Sequence, residues 1–297
     1  MTWRLGTRRS RLARAQARSV ARRLEALGEK VQVVPLDSRG DRVKELPFEQ
    51  IGAPGLFVRE LESALLDHRV DLVVHSYKDL PTAGPAGLTI AAVPERLDPT
   101  DSLVAKELGP DHLAGGALPL RPGARVGTAS ARRRALIHAL RPDVEVVHLR
   151  GNVPTRLQAV RDGTVDAAIL ATAGLDRLVN DGLDLEDLVP RRLDPTIFVP
   201  APSQGALAVQ VRTGTTPRDL ELQDHLKQLD DLAARPALAA ERHLQKAIEG
   251  GCQVAFGAWC RRQPDTDADA AAGTLRLNAV LDTPAGLRRA NGEGADP

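Results

Sequence analysis

Apolar residues recur at two spacings in the first part of the chain, and these spacings predict its first elements. Residues 12–27 carry apolar side chains three or four positions apart, and so do residues 56–68. This spacing gives a helix one apolar face, and Gly28 follows the first run as a typical helix end. Short apolar or β-branched runs, which favour strands, occupy residues 3–6, 31–34 and 70–75.

The same alternation starts again in the middle of the chain. Strand-like runs occupy residues 124–127, 144–149 and 165–170, and helical patterns occupy residues 131–140 and 154–161. A chain that alternates in this way builds parallel sheets with crossover helices. We therefore expect an α/β fold.

Two polar, proline-bearing stretches, residues 94–100 and 195–204, are typical of crossings between domains. Residues 206–211 then return to strand character, which indicates that the second crossing leads back into the first domain. The pattern predicts a discontinuous first domain of residues 1–97 and 201–218 and a second domain of residues 98–200, with a cleft between them. The sequence contains no internal repeat that we can detect.

The last part of the chain has a different pattern. Residues 220–249 are helical and rich in leucine and alanine, and residues 253–259 and 274–280 are strand-like. These features predict a small third α+β domain over residues 219–297. The tail after Arg289 is expected to be frayed.

Composition excludes several classes of protein. The 297 residues suffice for two or three domains, and 40 basic against 39 acidic side chains give a net charge of +1. This balance and an aromatic content of 2% argue against binding to duplex or single-stranded nucleic acid. No apolar run approaches the roughly 20 residues of a membrane-spanning helix. Residues 1–24 are arginine-rich and lack acidic residues, like a transit peptide, but their strand and helix patterns indicate mature fold, so we expect a cytoplasmic protein.

Arginines dominate the basic residues and gather at three predicted turns from strand to helix. The three segments are GTRRSR at residues 6–11, GTASARRR at residues 127–134 and LRGNVPTR at residues 149–156. In parallel α/β domains such turns lie at the ligand-binding carboxyl edge of the sheet. Cations there oppose the helix dipole, so their placement indicates a site for anions. Coding bias explains the number of arginines but not this location.

The bound anion could be a phosphate or a carboxylate. The sequence has neither a GxxxxGK[ST] loop nor a GxGxxG motif after a strand, so nucleotide binding has no motif support. Many separated arginines suit a ligand with many separated acidic groups. A non-catalytic two-domain protein that binds carboxylates or phosphates would also explain the arginines.

One carboxylate and one thiol are candidates for chemistry. Asp79 follows the apolar strand of residues 70–75 and could stabilise a developing cation or relay a proton, or could simply form a turn before Pro81. Cys252 follows two glycines and is a candidate nucleophile or covalent attachment point. Cys260 is expected to be a buried small apolar residue, and no spacing supports a metal site.

Eight segments in order give the sequence its resemblance to a known family. They are GTRRS, GLFVREL, HSYKDLP, GTASARRR, LRGNVPTRL, ATAGLDRL, PSQGAL and AERHLQKAIEGGCQVAFG. Together they resemble the porphobilinogen deaminases, or hydroxymethylbilane synthases, from about residue 4 to about residue 260.

The resemblance implies a fold, an activity and a cofactor. The fold is two periplasmic-binding-protein-like α/β domains with a cleft between them and a small C-terminal α+β domain. The activity is the head-to-tail condensation of four porphobilinogen molecules with loss of ammonia, followed by release of hydroxymethylbilane. The chain grows on a dipyrromethane cofactor held by a thioether to a cysteine, which matches Cys252. A monomer that hands its product to the next enzyme of the pathway is also expected.

The same resemblance assigns roles to single residues. The catalytic aspartate matches Asp79. Cofactor contacts, besides Cys252, match Lys78, Thr128, Ser130, Arg132 and Arg133. Substrate contacts match Arg8, Ser10, Arg150, Arg156, Arg177 and Gln204.

Four features depart from the family pattern. Pro54 stands in a loop that usually reads GGKG, and Ala129 stands where a hydroxyl is common. Pro154 replaces a small residue, although proline suits the first turn of a helix. The family's last helix is missing after Arg289. None of these changes affects Asp79 or Cys252.

Overall fold

The computed structural model describes residues 2–36, 58–109, 118–214, 216–248, 254–263 and 273–295. Contacts between Cα atoms divide the chain into two compact units. The first unit joins Met1–Leu97 to Ala206–Ala234, and the second joins Asp98–Gly205 to Arg235–Pro297. The two predicted crossings therefore fall where the chain passes from one unit to the other.

The secondary structure of the described residues runs as follows. The strands are β1 (Thr2–Arg8), β2 (Lys30–Leu36), β3 (Leu72–Ser76), β4 (Leu88–Ala92), β5 (Asp101–Ala105), β6 (Arg125–Gly127), β7 (Glu145–Val147), β8 (Ala167–Ala171), β9 (Val189–Arg192), β10 (Leu207–Arg212), β11 (Phe256–Arg262), β12 (Leu275–Thr283) and β13 (Gly286–Gly294). The α-helices are α1 (Arg11–Ala26), α2 (Arg59–Leu66), α3 (Ala131–Leu140), α4 (Val153–Arg161), α5 (Thr172–Val179), α6 (Pro217–Lys227) and α7 (Arg235–Ile248). A short 3₁₀ turn spans Tyr77–Asp79.

The first unit is built on a five-stranded sheet in the order β2-β1-β3-β10-β4. The strand β1 pairs in parallel with β2 and β3, whereas β10 runs antiparallel to β3 and β4. One face of the sheet packs on α1 and α6 through fully buried side chains such as Trp3, Leu24 and Leu226. A second cluster, which includes Leu61 and Val73, joins the sheet to α2.

The second unit contains a five-stranded sheet of the same design, in the order β7-β6-β8-β5-β9. Here β6 pairs in parallel with β7 and β8, and β5 runs antiparallel to β8 and β9. Both sheets thus combine three parallel strands with one strand of opposite direction and one edge strand beyond it. The two sheets therefore repeat one topology, although no internal repeat is detectable in the sequence.

The second unit also holds a small antiparallel sheet, β11-β12-β13. Helix α7 packs on it, and the fully buried carboxylate of Glu241 accepts hydrogen bonds from the backbone N–H groups of Cys260 and Ser203, both at 2.7 Å. Cys260 is buried, as predicted. The predicted fraying after Arg289 is wrong, because β13 continues to Gly294 in register with β12. Backbone hydrogen bonds hold this polar strand without an apolar pattern.

The α/β fold class is confirmed, and so are the predicted helices and strands that lie in the described residues, with shifts of a few positions at their ends. The prediction of purely parallel sheets is wrong, since β10 and β5 run against their neighbours. The predicted helix over residues 220–249 is two helices, α6 and α7. Four strands were missed. Strands β4 and β5 stand beside polar, proline-bearing stretches, and strands β9 and β13 are mostly exposed and polar.

The three-domain division stays a prediction. Within the first unit, Leu222 and Leu226 of α6 are buried against the same core as Trp3 and Leu5. The helix α6 therefore belongs physically to the first sheet, whereas α7 and the small sheet group with the second unit.

A buried carboxylate fixes one edge of the first unit. Asp71 is 1% exposed, and its oxygens lie 2.9 Å from Nη2 of Arg4 and 2.8 Å from Nη2 of Arg218. Burial alone raises the pKa of Asp71, but the hydrogen bonds from Arg4 and Arg218 outweigh it and hold the pKa well below its usual range. The guanidinium of Arg218 also lies 4.5 Å from the ring centroid of Trp3, so one network joins β1, β3 and α6.

We expect Asp71→Asn to lower the free energy of unfolding by about 2 kcal/mol, because the change weakens charge-assisted hydrogen bonds from the partly exposed Arg4 and Arg218 to a buried carboxylate. A depressed folded-state pKa stabilises the fold above the unfolded value of about 3.9, and this contribution is lost as the pH falls below that value. The difference between parent and variant should therefore be constant near neutral pH and should shrink from about pH 4 downwards.

Urea denaturation at a series of pH values measures this difference. The matched control is Asp67→Asn, because Asp67 is an exposed aspartate of the same unit whose pair with Arg69 is long, at 3.7 Å, and it should cost at most about 0.5 kcal/mol. An Asp71→Asn variant as stable as the control would contradict the role of this network.

Candidate active site

The carboxyl edge of the first sheet carries two of the predicted site residues on β1 and its turn. Arg8 ends β1, and Ser10 caps α1 by accepting a hydrogen bond from the N–H of Ala13 at 3.2 Å. The first turn of α1 contains no acidic residue. The predicted placement of arginines at a strand-to-helix turn is therefore confirmed for this segment.

Lys78 and Asp79 lie at the same edge, directly after β3. The 3₁₀ turn that carries them is held by the N–H of Tyr77, which donates to the carbonyl of Ala206 at 3.0 Å. The side chain of Asp79 is exposed, and that of Lys78 is half-buried. Because β1 and β3 are parallel neighbours, the structure brings Arg8, Ser10, Lys78 and Asp79 to one edge of this sheet.

A buried polar chain lies behind this edge and was missed from the sequence. The ring Nε2 of His75 lies 3.0 Å from Oε1 of Gln210, whose amide donates to Glu62 at 3.2 Å. Burial is the main reason why the pKa of His75 is lowered to about 4. The hydrogen bond with Gln210 raises the pKa by less than burial lowers it, and the charge of Arg8 lowers it slightly more. His75 is therefore neutral near pH 7. The only sequence signal was a polar residue at the end of each apolar strand.

The second sheet has the corresponding turn after β6. Thr128 is buried and accepts a hydrogen bond from the N–H of Ser130 at 3.2 Å, and Ser130 in turn accepts from the N–H of Arg133 at 3.4 Å as the cap of α3. Gly127 is required before this turn, because a Cβ there would lie 2.5 Å from Cδ2 of Leu149. The first turn of α3 also lacks acidic residues.

Two arginines of α3 point into the protein and share one carboxylate. Arg132 and Arg133 are 6% and 5% exposed, and Asp101 of β5 is fully buried. Arg132 Nη2 lies 2.8 Å from Asp101 Oδ2, and Arg133 Nη2 lies 2.7 Å from Asp101 Oδ1. The remaining nitrogens reach backbone carbonyls, with Arg132 Nη1 donating to Val199 and Arg133 Nη1 to Ile169 at 2.7 and 2.8 Å.

Gln204 and Arg177 are placed by backbone groups near the ends of the second unit. The amide nitrogen of Gln204 lies 2.8 Å from the carbonyl of Pro99 and 3.0 Å from Oδ1 of Asp101. Arg177, in the last turn of α5, donates from Nη2 to the carbonyl of Gly205 at 2.9 Å. Gln204 thus joins the carboxylate that holds the two arginines of α3.

Arg150 and Arg156 flank the turn between β7 and α4. Arg150 is exposed, and its Nε donates to the ring of His148 at 3.0 Å. Arg156 donates from Nε to the carbonyl of Gly151 at 2.9 Å, and Gly151 has a φ of +112°, which favours glycine. Burial and, to a smaller extent, the charge of Arg133 together lower the pKa of Arg156 to about 10. Arg156 is therefore close enough to Arg133 for their charges to repel.

The edge of the second sheet holds more positive than negative charge. Arg132 and Arg133 share one carboxylate, that of Asp101, and Arg156 lies close enough to Arg133 for their charges to interact, so the four side chains carry an excess of two positive charges. The first turns of α3 and α4 lack acidic residues, which confirms the predicted placement of all three arginine clusters. The expectation that a bound anion compensates the positive charge at such turns is wrong for Arg132 and Arg133, because the carboxylate of Asp101 is an anion inside the protein.

Two sequence predictions lie outside the described residues. Cys252 is one of them, and Pro54 in the loop before residue 55 is the other. Within the described part of the chain, no three His, Cys, Asp or Glu side chains form a group that could hold a metal ion. No helix in that part is long and apolar enough to cross a membrane.

Comparisons with known proteins show what this chain is similar to. Residues 3–219 match the family model described as porphobilinogen deaminase, dipyromethane cofactor binding domain. The porphobilinogen deaminase of Acidothermus cellulolyticus is 44% identical over 284 residues, which cover 95% of this chain and 80% of the relative. That of Syntrophobacter fumaroxidans is 40% identical over 280 residues, with 94% and 83% covered.

A further relative and one solved structure complete the comparison. The porphobilinogen deaminase of Roseiflexus castenholzii is 44% identical over 257 residues, which cover 86% of this chain and 80% of the relative. The BvgS periplasmic VFT2 domain of Bordetella pertussis is similar at a TM-score of 0.43 and 15% identity, covering 82% of this chain and 92% of its own; a likeness this low supports no inference about function. By its family model and its relatives, this chain belongs to the porphobilinogen deaminase family.

Proposed function

We propose that this chain is a hydroxymethylbilane synthase whose carboxylate-binding arginines lie at the carboxyl edge of the second sheet and whose catalytic aspartate is Asp79. The enzyme joins four porphobilinogen molecules head to tail. In each condensation a C–C bond forms, the C–N bond of the aminomethyl group breaks and ammonia leaves, and hydrolysis finally releases hydroxymethylbilane. The observation that carries the residue assignment is the excess of two positive charges around Arg132, Arg133 and Arg156.

The residues of the second sheet fit a dipyrromethane cofactor by the chemistry of their donors. Such a group carries acetate and propionate side chains, and planar guanidinium groups are well suited to bind carboxylates. Thr128, Ser130, Arg132 and Arg133 would hold it from this sheet, and Lys78 remains a proposed cofactor contact. When bound through Cys252, it supplies the primer that the four substrate units extend.

Arg132 and Arg156 direct fewer guanidinium nitrogens at protein acceptors than Arg133 does, so they have more N–H groups available for a carboxylate. Arg132 contacts protein acceptors through Nη1 and Nη2, and Arg156 does so through Nε, while a guanidinium has five N–H groups. Arg133, in contrast, directs Nε, Nη1 and Nη2 at protein acceptors. Arg8, Ser10, Arg150, Arg177 and Gln204 remain proposed substrate contacts.

Asp79 is suited to stabilise positive charge on the substrate. The aminomethyl carbon of porphobilinogen becomes electron-poor as ammonia departs, and a fixed carboxylate lowers the energy of that state. The exposed carboxylate stands at the end of β3, on a turn fixed by the backbone bond from Tyr77 to Ala206. It could also hold a proton for the leaving amine.

We propose further that the enzyme is a cytoplasmic monomer that hands its product to the next enzyme of the pathway. Two cysteines in 297 residues do not form a disulfide framework, which supports a reducing compartment. The hand-over follows from the reactivity expected of an open-chain tetrapyrrole.

Intact mass spectrometry tests the attachment at Cys252. We expect the purified enzyme to be heavier than its sequence by one dipyrrole unit and Cys252→Ser to have the bare mass, because only a thioether to this thiol would survive denaturation. Cys260→Ser is the control, since Cys260 is buried, and it should keep the added mass. A bare mass for parent enzyme that still converts porphobilinogen would disprove the assignment.

Asp79→Asn should lower kcat by roughly 100-fold or more, which is the usual loss when one group that stabilises transition-state charge is removed. The added dipyrrole mass should be retained. Asp67→Asn, an exposed aspartate of the same unit, should leave kcat near the parent value. Steady-state turnover of porphobilinogen measures both, and near-parent kcat in Asp79→Asn would remove its catalytic role.

Arg156→Ala should lower kcat/KM at least about tenfold, because a charge-assisted hydrogen bond to a carboxylate contributes roughly 1.5–3 kcal/mol. Arg161→Ala is the matched control on the same helix, since Arg161 pairs with Asp187 at 2.9 Å. It should keep kcat/KM within about twofold of the parent. Equal losses in the two variants would argue against a binding role for Arg156.

A further inference from the structure

One carboxylate organises the cationic group of the second sheet. Asp101 is fully buried, and each of its oxygens faces a different guanidinium at 2.8 Å or less. Gln204 donates to the same carboxylate at 3.0 Å. Arg132, Arg133 and Gln204 are each 6% exposed or less, so the four side chains form one nearly dry network.

The position of Asp101 follows from the direction of its strand. Asp101 is the first residue of β5, which runs antiparallel to β8, and it pairs in register with Ala171 at the carboxyl end of β8. An antiparallel strand thus brings its first residue to the edge at which the parallel strands end. Asp101 therefore lies at the same edge as the arginines, although its strand β5 runs in the opposite direction to β6, which precedes them.

The charges of this network do not balance. Asp101 neutralises one of the two guanidinium charges of Arg132 and Arg133, which leaves the pair at +1. Arg156, close enough for its pKa to be lowered by the charge of Arg133, adds another positive charge. A nearly dry site of this kind gains from a bound anion, because its charges are poorly screened by water.

We propose that Asp101 is a positioning residue that sets the net charge of the Arg132–Arg133 pair at +1 and thereby sets the affinity of the site for carboxylates. This inference rests on the proposed binding role of the second-sheet arginines. It makes Arg133 chiefly the partner that fixes Asp101, whereas Arg132 and Arg156 face the ligand.

The test changes the charge of the pair in both directions. Asp101→Asn leaves the pair at +2, and Arg133→Gln brings it to 0. The double variant restores +1. The probe is succinate, a dicarboxylate that resembles the acid side chains of the substrate. It is added at constant ionic strength to the full chain with Cys252→Ser, the parent of this series, in which no dipyrrole is expected to occupy the arginines. The readout is the half-maximal concentration, at which succinate occupies half of its sites in isothermal titration calorimetry.

We expect Asp101→Asn to lower this half-maximal concentration at least roughly tenfold and Arg133→Gln to raise it by a similar factor, because each changes the local charge by one unit in a poorly screened site. The double variant should return to within about twofold of the parent, although its Tm without succinate is lower. Asp101→Glu keeps the charge and should stay within about threefold of the parent.

The matched control is Asp187→Asn, which removes one carboxylate of the same unit from an exposed pair with Arg161 and should leave the half-maximal concentration unchanged. A purely structural role for Asp101 predicts lower Tm values without shifts of opposite sign in the succinate response. Half-maximal concentrations within twofold of the parent in both single variants would therefore overturn the inference.

Three further outcomes are decisive. If Asp101→Asn does not fold, Arg133→Gln and Asp101→Glu decide the question, since an unchanged succinate response in Arg133→Gln overturns the inference. If the parent enzyme shows no response to succinate, the carboxylate site and the inference both fail. A third outcome is that the parent responds, that Arg156→Ala abolishes this response, and that the charge series has no effect. In that case the binding site stands and only the role of Asp101 fails.

Discussion

The second sheet depends on a single compromise between buried charges. Arg132 and Arg133 lie on the first turn of α3, where the helix dipole opposes cations, and both side chains are buried. Such side chains are tolerated only with a partner of opposite charge and well-placed acceptors. Asp101 supplies the charge, and the carbonyls of Val199 and Ile169 supply the acceptors. Because one carboxylate serves two cations, the site is held together and remains positive.

The same architectural device appears in both sheets. A strand of opposite direction, β10 in the first and β5 in the second, adds beside the parallel trio. It places a polar side chain beside the parallel strands: Gln210 contacts His75 in one sheet, and Asp101 pairs with the arginines at the carboxyl edge of the other. The parallel strands place the candidate catalytic and binding residues, and the returning strand fixes the side chains around them.

Particular residues show how far the sequence could be interpreted. The three arginine-bearing turns, at residues 6–11, 127–134 and 149–156, each lead into a helix without acidic residues in its first turn, and local spacing was enough to predict all three. Asp101 was overlooked because it follows a proline-bearing stretch that was assigned to a crossing. Its function depends on Ala171, seventy positions away along the chain, and a local pattern carries no information about such a pairing.

The sequence by itself determined most of the helices and strands in their order, the turns at which the arginines gather and, through eight motifs, the family. These features follow from local periodicity, capping and residue identity. Only the tertiary structure decided which arginines are compensated, because a guanidinium next to a buried carboxylate and one facing a backbone carbonyl look alike in sequence. Strand direction made the difference, since it placed Asp101 between Arg132 and Arg133 and left Arg156 without an acidic partner among the described residues.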